Sequence, residues 1–160
     1  MKVGDSVRTC LWLGSNGHKA AHFYVSLIGD SFLETDVDPG SPTSPLVVEF
    51  TLRGAPFMIL NGGPTYKLSP AASIFVKTAD QEETDRLWAS LTANGGQESR
   101  CGWLVDPFGV SWQIVPEALP RFLGAPDRAA SARAMRAMMG MKKIDIAGLE
   151  AAFNGSGSPG

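Results

Sequence analysis

Residues Cys101 to Pro116 read CGWLVDPFGVSWQIVP, two short apolar runs on either side of Asp106-Pro107-Phe108-Gly109. Proline presets the φ that opens a turn and glycine supplies positive φ at no steric cost, so the stretch predicts a β-hairpin. Side chains along a strand alternate between faces. Val110, Trp112 and Ile114 therefore share one side of the second strand, and Ser111, Gln113 and Val115 the other. One side is heavy and apolar, while the other carries an amide that needs a partner wherever it is buried. Such a sheet packs helices on one face and turns the other towards a cavity.

The same grammar occurs earlier in the chain. Leu46 to Arg53, LVVEFTLR, alternates Val48, Phe50 and Leu52 against Val47, Glu49 and Thr51, and Gly54-Ala55 turns it into a partner strand from Pro56 to Leu60. Upstream lie a strand from Val7 to Leu13, with Val7, Thr9, Leu11 and Leu13 on one face, and a helix from His18 to Ile28. Ala21, Tyr24, Val25 and Ile28 recur there at helical spacing. Ser31 to Val37 reads as a short edge strand. In the second half, Ala72 to Thr78 is a strand and Asp80 caps a helix from Gln81 to Thr92, with Glu83 placed as in a capping box. Asn94-Gly95-Gly96 ends that helix as a left-handed cap does.

Strand, helix, weak strand and hairpin thus occur twice, over residues 7–62 and 72–116. Two copies are too few for a solenoid, so the order predicts a pair of βαβββ modules. We divide the chain into modules at 1–64 and 65–116, a helical segment at 117–153 and a flexible tail at 154–160, all within one structural domain. Between the first module's strands, Asp38 to Pro45 reads DPGSPTSP; Pro39, Pro42 and Pro45 exclude regular structure there. A polar loop of this kind is suited to act as a lid. After Pro116 come one or two turns at Glu117 to Leu123, a helix at Arg128 to Met139 capped by Asp127, and another at Ile146 to Phe153 capped by Asp145.

A net charge of −2 with scattered basic residues leaves no footprint for nucleic acid or an anionic membrane. No apolar run reaches the length of a membrane span, and MKVGDSVRTC lacks the apolar core of a signal peptide, so the expected location is cytoplasmic. Cys10 and Cys101 both sit in strand-like runs, which predicts buried free thiols rather than a disulfide.

Several segments together resemble the vicinal-oxygen-chelate superfamily, the fold of glyoxalases, bleomycin-resistance proteins and extradiol dioxygenases. They are AAHFYVSL (20–27), VVEFTLRGAPFMILNGG (47–63), DQEETDRLWASLTANGG (80–96), CGWLVDPFGVSWQIVP (101–116) and MGMKKIDIAGLEAAF (139–153). Within the superfamily the chain is similar to the PhnB-like branch, often labelled a 3-demethylubiquinone 3-methyltransferase domain. The resemblance implies an α+β fold in which paired βαβββ modules form a cup-shaped mixed sheet around a pocket, with C-terminal helices added. It also implies a homodimer.

Catalytic members of that superfamily hold a divalent metal with four side chains, drawn from His, Glu and Gln. By the resemblance those positions fall here on Thr9, Glu49, Gln113 and Ala72 or Ser73. Only Glu49 and Gln113 keep good donor chemistry, and a catalytic site normally needs about three protein ligands. The expectation is therefore no cofactor and no tightly bound metal, with Glu49 and Gln113 as weak candidate ligands. His18 and His22 lie four apart on one helical face, but HKAAH lacks the glutamate of a zinc-protease helix and reads as two solvated histidines.

Glu49 has two readings: a pocket carboxylate suited to proton transfer, or a half-exposed strand residue paired with a lysine or arginine. Thr51, Ser111 and Gln113 fall on matching faces of their strands and favour the pocket. Trp103 is the tryptophan placed to reach a ligand; Trp12, Trp88 and Trp112 read as core. Met135, Met138, Met139 and Met141 read as a packing cluster. A methyltransferase of the doubly wound kind needs a parallel nucleotide-binding sheet, which this element order does not build.

The sequence points to a metal-free protein that binds a small, partly aromatic or polar molecule. Glu49 is the candidate catalytic residue, and Thr9, Thr51, Trp103, Ser111 and Gln113 are ligand contacts. The alternatives are a lyase, isomerase or dioxygenase with Glu49 as general base, and a collapsed pocket that leaves only a dimerisation scaffold.

Overall fold

The computed structural model describes residues 6–155. It divides into two compact units, Met1–Leu68 and Ser69–Gly160. The last residues of the expected flexible tail, 156–160, lie outside the described residues.

Unit 1 runs β1 (Thr9–Leu13), α1 (Gly17–Leu27), β2 (Ser31–Leu33), β3 (Val47–Leu52) and β4 (Ala55–Asn61). Its sheet has the order β1-β4-β3-β2, with β1 parallel to β4 and the other pairs antiparallel. β3 and β4 turn through Arg53 and Gly54, both at positive φ, as a two-residue hairpin turn requires. The apolar alternation predicts the packing. Leu11, Leu13, Val48, Phe50, Phe57 and Ile59 are buried with Ala21, Tyr24 and Ile28 of the helical segment. Tyr24 lies 6.1 Å from Phe50, which stacks on Phe57 at 5.5 Å. Burying such a ring stabilises the fold by about 1.5–3 kcal/mol.

Unit 2 repeats the scheme with β5 (Ser73–Thr78), α2 (Gln81–Thr92), β6 (Gln97–Glu98), β7 (Trp103–Val105) and β8 (Ser111–Pro116). The order β5-β8-β7-β6 matches unit 1 strand for strand, with β5 parallel to β8. The predicted α+β class and doubled βαβββ order are both present. α2 buries Leu87, Trp88 and Leu91 and is capped as expected: Asp80 accepts from the Glu83 amide at 2.8 Å. Glu83 in turn accepts from the Ala79 amide, one residue earlier than the standard box.

Three helices complete unit 2: α3 (Leu119–Leu123), α4 (Arg128–Met139) and α5 (Ile146–Phe153). Phe122, Ala134, Ile144 and Leu149 form their buried core, with Met138 and Met141 packed against it. Met135 and Met139, expected in the same cluster, are 43% and 57% exposed. Arg133 on α4 donates to the carbonyls of Ala152 and Phe153 at the end of α5. Asp127 caps α4 through the Ala130 amide. Asp145 makes no such bond at α5; the Ile146 amide goes to Gln81 Oε1 on α2 instead.

Candidate functional site

In each unit one face of the sheet packs against its helix and carries the buried apolar residues; the other face is open to the helix-free side. Residues directly opposite in a ladder share a face. Cys10 pairs with Met58 and Met58 with Glu49, so these three stand together on the open face of unit 1. Thr9 pairs with Phe57 and Phe57 with Phe50, which puts Thr9 at the rim of the helix-packed face. Thr9 and Glu49 therefore point to opposite sides. The period of two had already grouped Thr9 with Leu11 and Leu13, and a residue of that set cannot also serve Glu49.

The neighbour of Glu49 is Arg8, the kind of pairing that the second reading of this half-exposed glutamate describes. Arg8 is nearly buried, grips Glu34 with both terminal nitrogens, donates to the Phe57 carbonyl at 3.2 Å and brings Nε within 3.7 Å of Glu49 Oε1. Thr51, itself buried, donates to Glu34 at 3.3 Å. The hydrogen bond from Arg8 holds the Glu34 carboxyl below its ordinary value, against a smaller opposing effect of burial. The Glu49 side chain stays 46% exposed. A cation approaching it has to compete with the guanidinium.

The segment expected as a mobile lid is fastened to α1. His18 is 1% exposed and its Nε2 lies 3.1 Å from the Ser41 carbonyl; half-buried His22 reaches the Val37 carbonyl at 2.6 Å. These histidines are tied to the loop rather than solvated, because the loop folds over the helical face that carries them. Asn61 completes the fastening. Its Oδ1 accepts from the Gly17 amide at 2.8 Å, and its Nδ2 donates to Ser44 Oγ and the Pro45 carbonyl, each at 2.7 Å. Ser44 Oγ also accepts from the His18 amide. The amides that open α1 after Gly14-Ser15-Asn16-Gly17 are thereby occupied within the protein, unlike those of a nucleotide-binding loop.

The open face of unit 2 brings three predicted ligand contacts together. Ser73 pairs with Ser111 and Ser111 with Val105, while Phe75 pairs with Gln113 and Gln113 with Trp103. Gln113 Nε2 donates to Ser73 Oγ at 3.0 Å, so the amide has its partner and Ser73, not Ala72, is the facing residue of the opening strand. An open cavity of about 230 Å³ is lined by Pro70, Ser99, Trp103, Leu104, Val105 and Ser111. Of the four tryptophans Trp88 and Trp112 are buried, as expected of core residues, whereas Trp12 and Trp103 are half-buried.

The hairpin that presents this face depends on Asp106. Its Oδ1 accepts from the Phe108 and Val110 amides at 2.8 and 3.0 Å, and Oδ2 from the Trp112 indole at 2.9 Å. Neither cysteine is buried as expected: Cys10 is exposed on the open face of unit 1, and Cys101 is half-buried in a left-handed turn. Both are free thiols. Among the described residues no three His, Cys, Asp or Glu side chains come together as metal ligands, and no helix is long and apolar enough to cross a membrane.

Residues 5–115 match the family model described as 3-demethylubiquinone-9 3-methyltransferase. The PhnB protein of Bacillus cereus is 26% identical, with a TM-score of 0.61 over 69% of this chain and 98% of its own. A Pseudomonas aeruginosa protein is 20% identical, with a TM-score of 0.56 over 69% of this chain and 96% of its own. A glyoxalase/bleomycin resistance protein from Albidiferax ferrireducens is 19% identical, with a TM-score of 0.46 over 68% and 97%. No curated protein sequence matches the chain.

Proposed function

The chain belongs to the 3-demethylubiquinone-9 3-methyltransferase family, the PhnB-like branch of the vicinal-oxygen-chelate superfamily, and on that footing we propose that it binds a small, partly aromatic or polar molecule without a tightly held metal. One observation carries the proposal: Trp103, Ser111 and Gln113 share a sheet face, and Trp103 and Ser111 border the unit 2 cavity. A largely apolar hollow with an indole and a few fixed polar groups is what small-molecule sites are made of. Glu49 and Thr51, two residues apart on β3, share a face of the unit 1 sheet.

Metal binding has little support in the donor set. Glu49 is engaged by Arg8 and the Gln113 amide by Ser73, and two oxygen donors fall short of a divalent site. A methyl-transfer activity is not part of the proposal, because each sheet is mixed and the amides opening α1 are taken. The same reading carries a homodimer and a cytoplasmic location.

A thermal-shift screen of metabolites tests it. A true ligand at a hundredfold over its Kd raises Tm of the wild type by about 5 °C or more. It leaves Trp103→Ala unmoved; hits that shift wild type and variant equally sink the proposal. Metal analysis of the purified protein addresses the enzyme reading, in which Glu49 is a general base or weak ligand. A stoichiometric divalent ion lost on Glu49→Ala would favour that reading over ours.

A further inference from the structure

The matched family span stops at residue 115, before α3, α4 and α5, yet the segment between α4 and α5 reaches back onto the site. The Cys101 amide donates to the Met141 carbonyl at 2.9 Å and the Gly102 amide to the Lys142 carbonyl at 2.8 Å. On its other side Gly102 accepts from the Ile114 amide of β8 at 2.8 Å. Gly102 is thus clasped between β8 and the 141–144 strap. A Cβ there would lie 2.8 Å from the Ile114 carbonyl oxygen and 3.2 Å from Ile144. Cys101 stands at φ 56° and Gly102 at φ 85°. A non-glycine residue keeps such a conformation only where its surroundings impose it.

The next residue is Trp103, and the turn it closes ends in the cavity. Trp103 donates its amide to the Arg100 carbonyl at 3.0 Å, and the Ser99 amide donates to the Trp103 carbonyl at 2.9 Å. Ser99 and Trp103 both line the cavity. The strap itself is moored on α2 by Gln81. Its Nε2 donates to the Ile144 carbonyl at 3.0 Å and its Oε1 accepts from the Ile146 amide at 2.8 Å, while Lys143 pairs with Asp85 at 2.8 Å.

We propose that the C-terminal strap, moored by Gln81, is a positioning device that fixes Trp103 and the 99–103 turn as one wall of the unit 2 cavity. The proposal rests on the binding reading above for its purpose, but not for its geometry. Gln81 touches no ligand; it acts through residues 141–144 on the turn, and through the turn on the indole.

The test compares Gln81→Met, which keeps side-chain length and helix propensity but neither strap bond, with Glu82→Met, an exposed neighbour on α2, as control. In Gln81→Met the Cys101 and Gly102 amides should exchange with solvent about tenfold faster while those of β5 and β8 keep their rates. The indole N–H resonance of Trp103, assigned through Trp103→Phe, should move, and indole used as a flat probe should bind about fivefold more weakly. Faster exchange with an unmoved Trp103 resonance overturns the proposal, as does unchanged exchange. Should Gln81→Met fail to fold, Lys143→Met removes the strap's other tie to α2, at Asp85, with the same outcomes at smaller amplitude. A wild type that binds no indole but whose Trp103 resonance moves on strap release upholds the positioning role and counts against the binding reading instead.

Discussion

Asp106 is 2% exposed and its carboxylate meets three donors, two amides of its own turn and the Trp112 indole. Hydrogen bonds to a charged group contribute more than neutral ones, and a buried donor left alone costs its full desolvation. Asp106→Asn turns one acceptor into a donor and faces it towards an N–H. It should destabilise the protein by about 2–3 kcal/mol, read as a lower urea midpoint at unchanged m; an unaltered midpoint would refute this account of the hairpin. Glu34 gives a pH dependence with a definite sign. Its folded-state pKa lies below the ordinary 4.5, first because Arg8 bonds it, so its contribution is present above that value and is lost as the pH falls through the folded value. Asp85, held low chiefly by Lys143, acts in the same sense. Acidification below about pH 4.5 should lower the urea midpoint, and Glu34→Gln should flatten that decline; parallel profiles for wild type and variant would show that the pair contributes nothing.

At the scale of elements, helix starts were readable only where the cap is local. Asp80 and Asp127 precede their helices and bond within them, as their positions promised. Asn16 precedes α1 in the same way but is left-handed and makes no cap bond. The work falls to Asn61 and Ser44, 44 and 26 positions away from the amides they serve. No window of sequence around residue 16 contains that information. Because Asn61 joins the start of α1 to the end of the Asp38–Pro45 loop, Asn61→Ala should cost about 2–3 kcal/mol and open the loop to limited proteolysis. A loop that resists protease as well in the variant as in the wild type would mean the histidines alone suffice.

Over the whole chain, the doubled βαβββ order was legible because alternation and turn residues are local signals, and both sheets came out with the same strand order. The site was legible only in part. Trp103, Ser111 and Gln113 of unit 2 lie on one hairpin and follow from the pleat, whereas in unit 1 Arg8 has meaning only beside Glu34, just past the end of β2, and Glu49 on β3. Thr9 went astray by a single step along β1, enough to change faces. That same step sets an accessible thiol on the side where Glu49 stands, since Cys10, Met58 and Glu49 form one row across the ladder. With Cys101 replaced by serine, an environment-sensitive dye coupled to Cys10 would stand in that row, and its emission would tell whether any added molecule settles beside Glu49, with no need to choose the molecule beforehand.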